Sequence, residues 1–150
     1  MDLQTIMKNH CEATRKKSFD NSDQLTLGEL ILKIEPLAEK YKDEPDIEVG
    51  YDFEYLFPTC IDSWRGDYSE CALNFVVDDS DCKPLNVQAF LKLLKETVGK
   101  TFTGYKGGKF TMTKNTPVWV ANYGNSGETA IVDVLDKNYK VVLITKYTEY

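Results

Sequence analysis

The chain has 150 residues, and 42% of them are hydrophobic, enough for a folded core without disulfides or metal as staples. Eighteen basic residues against twenty-four acidic ones leave a formal charge of −6, which argues against a direct nucleic-acid binder, because phosphate contacts need a basic stripe. His10 is the only histidine and the four cysteines form no CxxC pair, so neither a structural zinc site nor histidine-based catalysis is expected. The first residues lack the apolar stretch of a secretory signal, and no run approaches the ~20 residues that span a bilayer. A cytoplasmic protein with reduced thiols, no membrane contact and no cofactor is the expectation.

In chain order, Leu3, Ile6, Met7 and Cys11 recur at helical spacing, so residues 1–19 read as a short amphipathic helix. Asp20 to Asp23 is a polar linker, and residues 1–23 together are an N-terminal appendage to one α+β domain over 24–150. Thr26 and Glu29 have capping-box spacing, Leu25 and Leu30 form a hydrophobic staple, and Leu27, Leu30, Ile31 and Ile34 make one apolar face. A helix therefore starts at Leu27. Pro36 should kink or end it near Glu35, with Leu37, Ala38 and Tyr41 as a further extension.

From Ile47 the period changes to two: Ile47, Val49, Tyr51 and Phe53 alternate with Glu48, Gly50 and Asp52. Further extended pieces run over 59–64 and 68–77, the second with Cys71, Leu73 and Phe75 on one face. Asn86 caps a second helix over 87–98, with Gly99 at its C′ position. Strands at 109–112, 118–123, 129–135 and 139–146 follow, the last two joined by a turn at Asp136, Lys137 and Asn138. The fold class read from this pattern is α+β: a mainly antiparallel sheet of about six strands packed by two helices, plus the N-terminal helix.

Three polar segments could carry binding chemistry. In Asp62 to Tyr68, Arg65 stands between Trp64 and Tyr68 and offers a planar fork to a phosphate or carboxylate beside rings that stack. The plainer reading is a tight turn in which Arg65 pairs with Asp62 or Asp67. In Gly104 to Gly108, backbone N–H groups could converge on an anion, with Lys106 adding charge and Tyr105 a ring, although the P-loop spacing is missing. A glycine-rich connector accounts for the same residues. Asn122 and Tyr123 end a strand where binding groups are often displayed, whereas Trp119 belongs in the core. Asp78, Asp79 and Asp81 superficially suggest calcium but lack the EF-hand loop.

Four segments, Leu25–Leu30, Ser63–Tyr68 (SWRGDY), Gly99–Gly108 (GKTFTGYKGG) and Thr116–Gly124 (TPVWVANYG), together resemble a family of small, largely uncharacterised bacteriophage accessory proteins. The resemblance covers roughly residues 25–143 and implies a setting, the cytoplasm of an infected host cell, where such proteins act against host enzymes or host defence. It supplies no catalytic or binding residues. Two functions stand nearly level. One is sequestration of a small anionic, nucleotide-like ligand through Arg65, Tyr68, Tyr105, Lys106 and Asn122. The other is inhibition of a host defence or nucleic-acid enzyme by direct contact with an acidic protein face. A small nucleotide-processing enzyme is a third reading. Nine tyrosines are enough to build an interface, so a homo-oligomer is also compatible with the sequence.

Overall fold

The computed structural model describes residues 23–53, 55–63, 70–77, 81–103, 107–121 and 128–148. The expected N-terminal helix over 1–19 lies outside the described residues. Helix α1 runs Leu27–Lys40 and helix α2 Val87–Thr97. The strands are β1 Glu48–Tyr51, β2 Leu56–Phe57, β3 Ile61–Asp62, β4 Cys71–Leu73, β5 Val76–Val77, β6 Thr101–Thr103, β7 Lys109–Thr111, β8 Val118–Val120, β9 Glu128–Asp136 and β10 Lys140–Thr148.

Helix α1 begins where its capping chemistry predicts. The Thr26 side chain accepts from the Glu29 N–H at 3.2 Å, and the Glu29 carboxylate accepts from the Thr26 N–H at 2.9 Å. The next two orphan donors are taken by a turn from far along the chain: Leu27 N–H donates to the Thr116 carbonyl at 2.9 Å and Gly28 N–H to that of Lys114 at 2.8 Å. Pro36 does not end the helix. The carbonyl it leaves without a donor belongs to Leu32, which is 69% exposed, so the lost bond falls on the solvent face while Leu30, Ile31, Ile34 and Ala38 continue the buried one. Helix α2 has its Asn86 cap, accepting from Ala89 N–H at 2.8 Å, and ends at Gly99 with φ +85°. The two helices are tied by Gln88 Nε2 donating to the Ala38 carbonyl at 2.8 Å and by Lys95 with Glu35 at 3.1 Å.

Six strands form one curled sheet in the order β1-β10-β9-β8-β4-β3, with β2–β5 and β6–β7 as separate two-stranded ribbons. The sheet is mixed, which corrects the expectation of a mainly antiparallel one. β1 runs parallel to β10 and β4 parallel to β8, while β10–β9, β9–β8 and β8's parallel partner β4 with β3 supply the antiparallel pairings. The physical reason is connectivity. β4 reaches β8 only through α2 and the β6–β7 ribbon, a crossover long enough for parallel pairing, and β1 meets β10 across most of the described chain.

The extended piece expected over 68–77 is two strands instead of one. Asn74 interrupts it: its Oδ1 accepts from the Thr59 and Cys60 N–H groups at 2.6 and 2.8 Å, and its Nδ2 donates to Thr59 Oγ1 at 2.8 Å. Its carbonyl takes the Tyr51 hydroxyl at 2.7 Å. With its side chain bound to the 59–60 backbone, Asn74 ends β4, and Val76–Val77 pairs with Leu56–Phe57 instead. The main core lies between sheet and helices, one cluster reaching from Leu25 to Leu143 with Leu27, Leu30, Phe90, Leu94, Leu73 and Ile131 fully enclosed. Cys71, Ala72 and Leu73 are all buried, so β4 is covered on both faces.

Candidate functional site

The five candidate residues fall on three connections. Arg65 and Tyr68 lie in 64–69, Tyr105 and Lys106 in 104–106, and Asn122 in 122–127, all outside the described residues. The structure gives the frame from which those connections depart. Ser63 and Glu70 close the end of β3–β4, where Glu70 N–H donates to the Ser63 carbonyl at 3.2 Å. Ser63 is buried, and its N–H donates to the Asp62 carboxylate at 2.7 Å. Cys71 N–H, one residue on, donates to the Pro117 carbonyl at 3.3 Å.

Because β4 and β8 are parallel, Ser63 and Glu70 stand where both strands begin, and Ala121 stands where both end, donating to the Leu73 carbonyl at 2.8 Å. Four residues of strand separate those levels, roughly 13 Å. The third connection is carried by the β6–β7 ribbon. Phe102 and Phe110 are paired and packed against the core, while Thr101, Thr103, Lys109 and Thr111 are exposed on the opposite face. The threonine hydroxyls of 101 and 111 are 3.0 Å apart, and Lys109 Nζ donates to Thr103 Oγ1 at 3.2 Å. The ribbon therefore offers hydroxyls and one ammonium to solvent at the base of the segment that holds Tyr105 and Lys106.

Two polar arrangements were not legible in the sequence. At the far end of α1, Asp136 accepts from Lys40 Nζ at 2.7 Å, from the Tyr41 hydroxyl at 2.6 Å and from Asn138 N–H at 2.9 Å. Lys40 also lies 5.0 Å from the centre of the Tyr41 ring. The Lys40 and Tyr41 hydrogen bonds hold the Asp136 carboxyl at a pKa of about 2 and raise those of Lys40 and Tyr41. A phenol held protonated and a carboxylate held ionised form a clamp between helix and hairpin, not an acid–base pair poised near neutrality. The second arrangement is Asp52, whose two oxygens accept from Thr145 N–H at 3.0 Å and Thr145 Oγ1 at 2.7 Å, beside the register shift between Ile144 and Thr145.

A cavity of about 410 Å³ opens beside the β2–β5 ribbon, lined by Leu56, Phe75, Val76, Val77 and Cys82. Its described lining is apolar and carries no cation, so it does not suit an anionic ligand. Nor do the helix N-termini invite one at α1, where the N–H groups of residues 26–29 are already bonded. Cys71 is enclosed and its thiol is pushed up to about 12 by burial, which makes it inert. Among the described residues no three His, Cys, Asp or Glu side chains gather as a metal site; Asp78 and Asp79 lie outside them. No helix among the described residues is long and apolar enough to cross a membrane.

No protein-family model matches the chain, and no curated protein or solved structure is significantly similar to it.

Proposed function

We propose that this chain is a bacteriophage accessory protein that binds and sequesters a small anionic, nucleotide-like ligand in the host cytoplasm. The observation that supports the reading is placement. Arg65 with Tyr68, Tyr105 with Lys106, and Asn122 fall on three connections, each joining two paired strands: β3 to β4, β6 to β7 and β8 to β9. Binding groups on short connections between rigid strands are the common arrangement for recognition. Arg65 supplies a bidentate fork for a phosphate, Lys106 a second charge, the tyrosines stacking surface and Asn122 an amide for a base edge. A ligand held by both Arg65 and Asn122 would have to bridge the roughly 13 Å between the two ends of the β4–β8 pair.

The test is titration calorimetry against a panel of linear and cyclic ribonucleotides, with native mass spectrometry of the mixtures. One nucleotide should bind and be released unchanged in mass, and Arg65→Ala should weaken it at least about tenfold, the loss of a charge-assisted bidentate contact. A nucleotide that comes back altered would instead make the chain an enzyme. Binding that ignores Arg65→Ala would remove the assigned site.

One observation favours the second reading, an acidic inhibitor of a host enzyme. Glu39, Asp43, Glu44, Asp46 and Glu48 are all exposed on the corner between α1 and β1. Lys42 is paired with Glu39 and Lys40 with Asp136, which leaves the other four carboxylates of the corner outside any ion pair among the described residues. A concentrated negative corner is a surface for a basic protein partner. Charge reversal of Asp43 and Glu44 should then abolish inhibition while leaving nucleotide titrations as they were.

A further inference from the structure

Charge is distributed unevenly along this chain. Residues 97–127 hold Lys100, Lys106, Lys109 and Lys114 and no aspartate or glutamate, so this stretch carries +4 and the rest of the chain −10, against a total of −6. The β6–β7 ribbon lies within that stretch. Thr101 pairs with Thr111 and Thr103 with Lys109, all four exposed on one side, while Phe102 and Phe110 pack against the core from the other. Lys109 stands at one end of the ribbon, donating to Thr103 Oγ1 at 3.2 Å. Lys100 stands at the opposite end, where its carbonyl accepts from Met112 N–H at 2.9 Å and its ammonium lies 5.3 Å from the centre of the Phe102 ring. The two levels are three residues apart, about 10 Å. Lys114, two residues beyond Met112, is also exposed. None of these three lysines is in an ion pair among the described residues.

We propose that the β6–β7 ribbon, with its flanking lysines, is a docking surface for the phosphate backbone of duplex DNA, bound without regard to sequence. Charge complementarity selects this partner. Three ammoniums outside ion pairs, with threonine hydroxyls between them, are the groups that contact phosphate oxygens, and a two-stranded ribbon fits the ~12 Å width of the major groove. A single strand fits less well, because it binds by stacking its bases on rings, and Phe102 and Phe110 face the core. The overall negative charge does not forbid this docking, since the acidic corner lies at the other end of α1. Gly28 N–H, in the first turn, donates to the Lys114 carbonyl, whereas Glu39 is in the last turn and Asp43 and Glu44 lie beyond it. The rise from residue 28 to residue 39 is about 16 Å, more than the ~10 Å Debye length at 0.1 M salt. The inference uses lysines outside the proposed ligand-binding set and does not depend on it.

The experiment is fluorescence anisotropy of a labelled DNA duplex of about 20 base pairs, titrated with the full chain at salt from about 20 to 150 mM. Expected is an association constant that falls with salt at a logarithmic slope of about −2.7, the value for three neutralised phosphates. The triple variant Lys100→Gln, Lys109→Gln, Lys114→Gln should bind at least about tenfold more weakly at the lowest salt and lose most of that slope. Lys106 is intact in this variant, so the loss is distinct from any loss of nucleotide binding. Thermal melts check that the exposed substitutions leave the fold unchanged. Should the triple variant unfold, Lys109→Gln alone should reduce the slope by about one. The proposal is overturned by no duplex binding at the lowest salt, by a slope near zero, or by equal binding of wild type and variants. Tighter binding of single-stranded DNA or of polyglutamate than of the duplex overturns it as well.

Discussion

Asp136 shows how much one side chain can organise. Its two oxygens receive the Lys40 ammonium, the Tyr41 hydroxyl and the Asn138 N–H, so one carboxylate fixes the end of α1 and the turn between β9 and β10. The turn needs this help because Asn138 sits at φ +72°, a conformation that asparagine tolerates better than most residues. The carboxyl titrates near 2 in the folded chain, below its ordinary 3.8. A depressed carboxyl pKa adds stability that is complete above the unfolded value and is lost as pH falls through the folded one. Acid unfolding should therefore gain a contribution between about pH 4 and pH 2 that Asp136→Asn removes. Thermal melts at neutral pH should place the same variant about 2–4 °C below wild type, the scale of one lost charged hydrogen-bond group in a chain of this size. Equal acid sensitivity in the two proteins would contradict the assignment.

At the scale of elements, what was legible in the sequence was what local chemistry decides. Thr26 with Glu29, and Asn86 with Gly99, mark helix ends because capping groups lie within a few residues of the backbone atoms they serve. The alternation from Ile47 to Phe53 marked a strand for the same reason; the strand itself is Glu48–Tyr51, and Gly50 is buried together with Val49 and Tyr51, so the alternation breaks there. Strand direction was not legible, since a period of two is identical in parallel and antiparallel neighbours. β2 and β6 were not anticipated either, being two and three residues long. Nothing around Asn74 announced that its side chain would bond Thr59 and Cys60, fifteen and fourteen residues away. The candidate binding residues stand out by chemical type alone, and the strands that flank their connections are β3 and β4, β6 and β7, and β8 and β9. Gly28 carries an element-scale prediction. A Cβ there would lie 2.9 Å from Lys114 Cβ and 3.1 Å from the Lys114 carbonyl oxygen, in the turn that caps α1. Gly28→Ala should destabilise the chain by about 1–2 kcal/mol despite alanine's better helix propensity, because the crowding displaces two capping carbonyls. Denaturant midpoints decide it: a stabilised variant would mean that the turn yields freely.

For the molecule as a whole, β10 is the strand on which the sheet depends. It pairs with β1 on one side and with β9 on the other, and Val141 and Leu143 enter the main core. Removing residues 137–150 should therefore abolish cooperative unfolding in urea, monitored by circular dichroism, even though both helices and nine of the ten described strands remain in the shortened chain. A shortened chain that still unfolds in one sharp transition would show that the helices and the β4–β8 pair suffice.

The parallel pairing of β1 with β10 also bears on how the chain is made. Val49 meets its partner Val141 about 90 residues later, which at ribosomal speeds of about 5–20 residues per second is a wait on the order of 5–20 s. Throughout that interval β1 lacks the strand it pairs with, the kind of open edge that joins chain to chain. Yield in a rapidly translating cell should consequently respond to temperature and chaperone supply more steeply than the stability of the finished protein does.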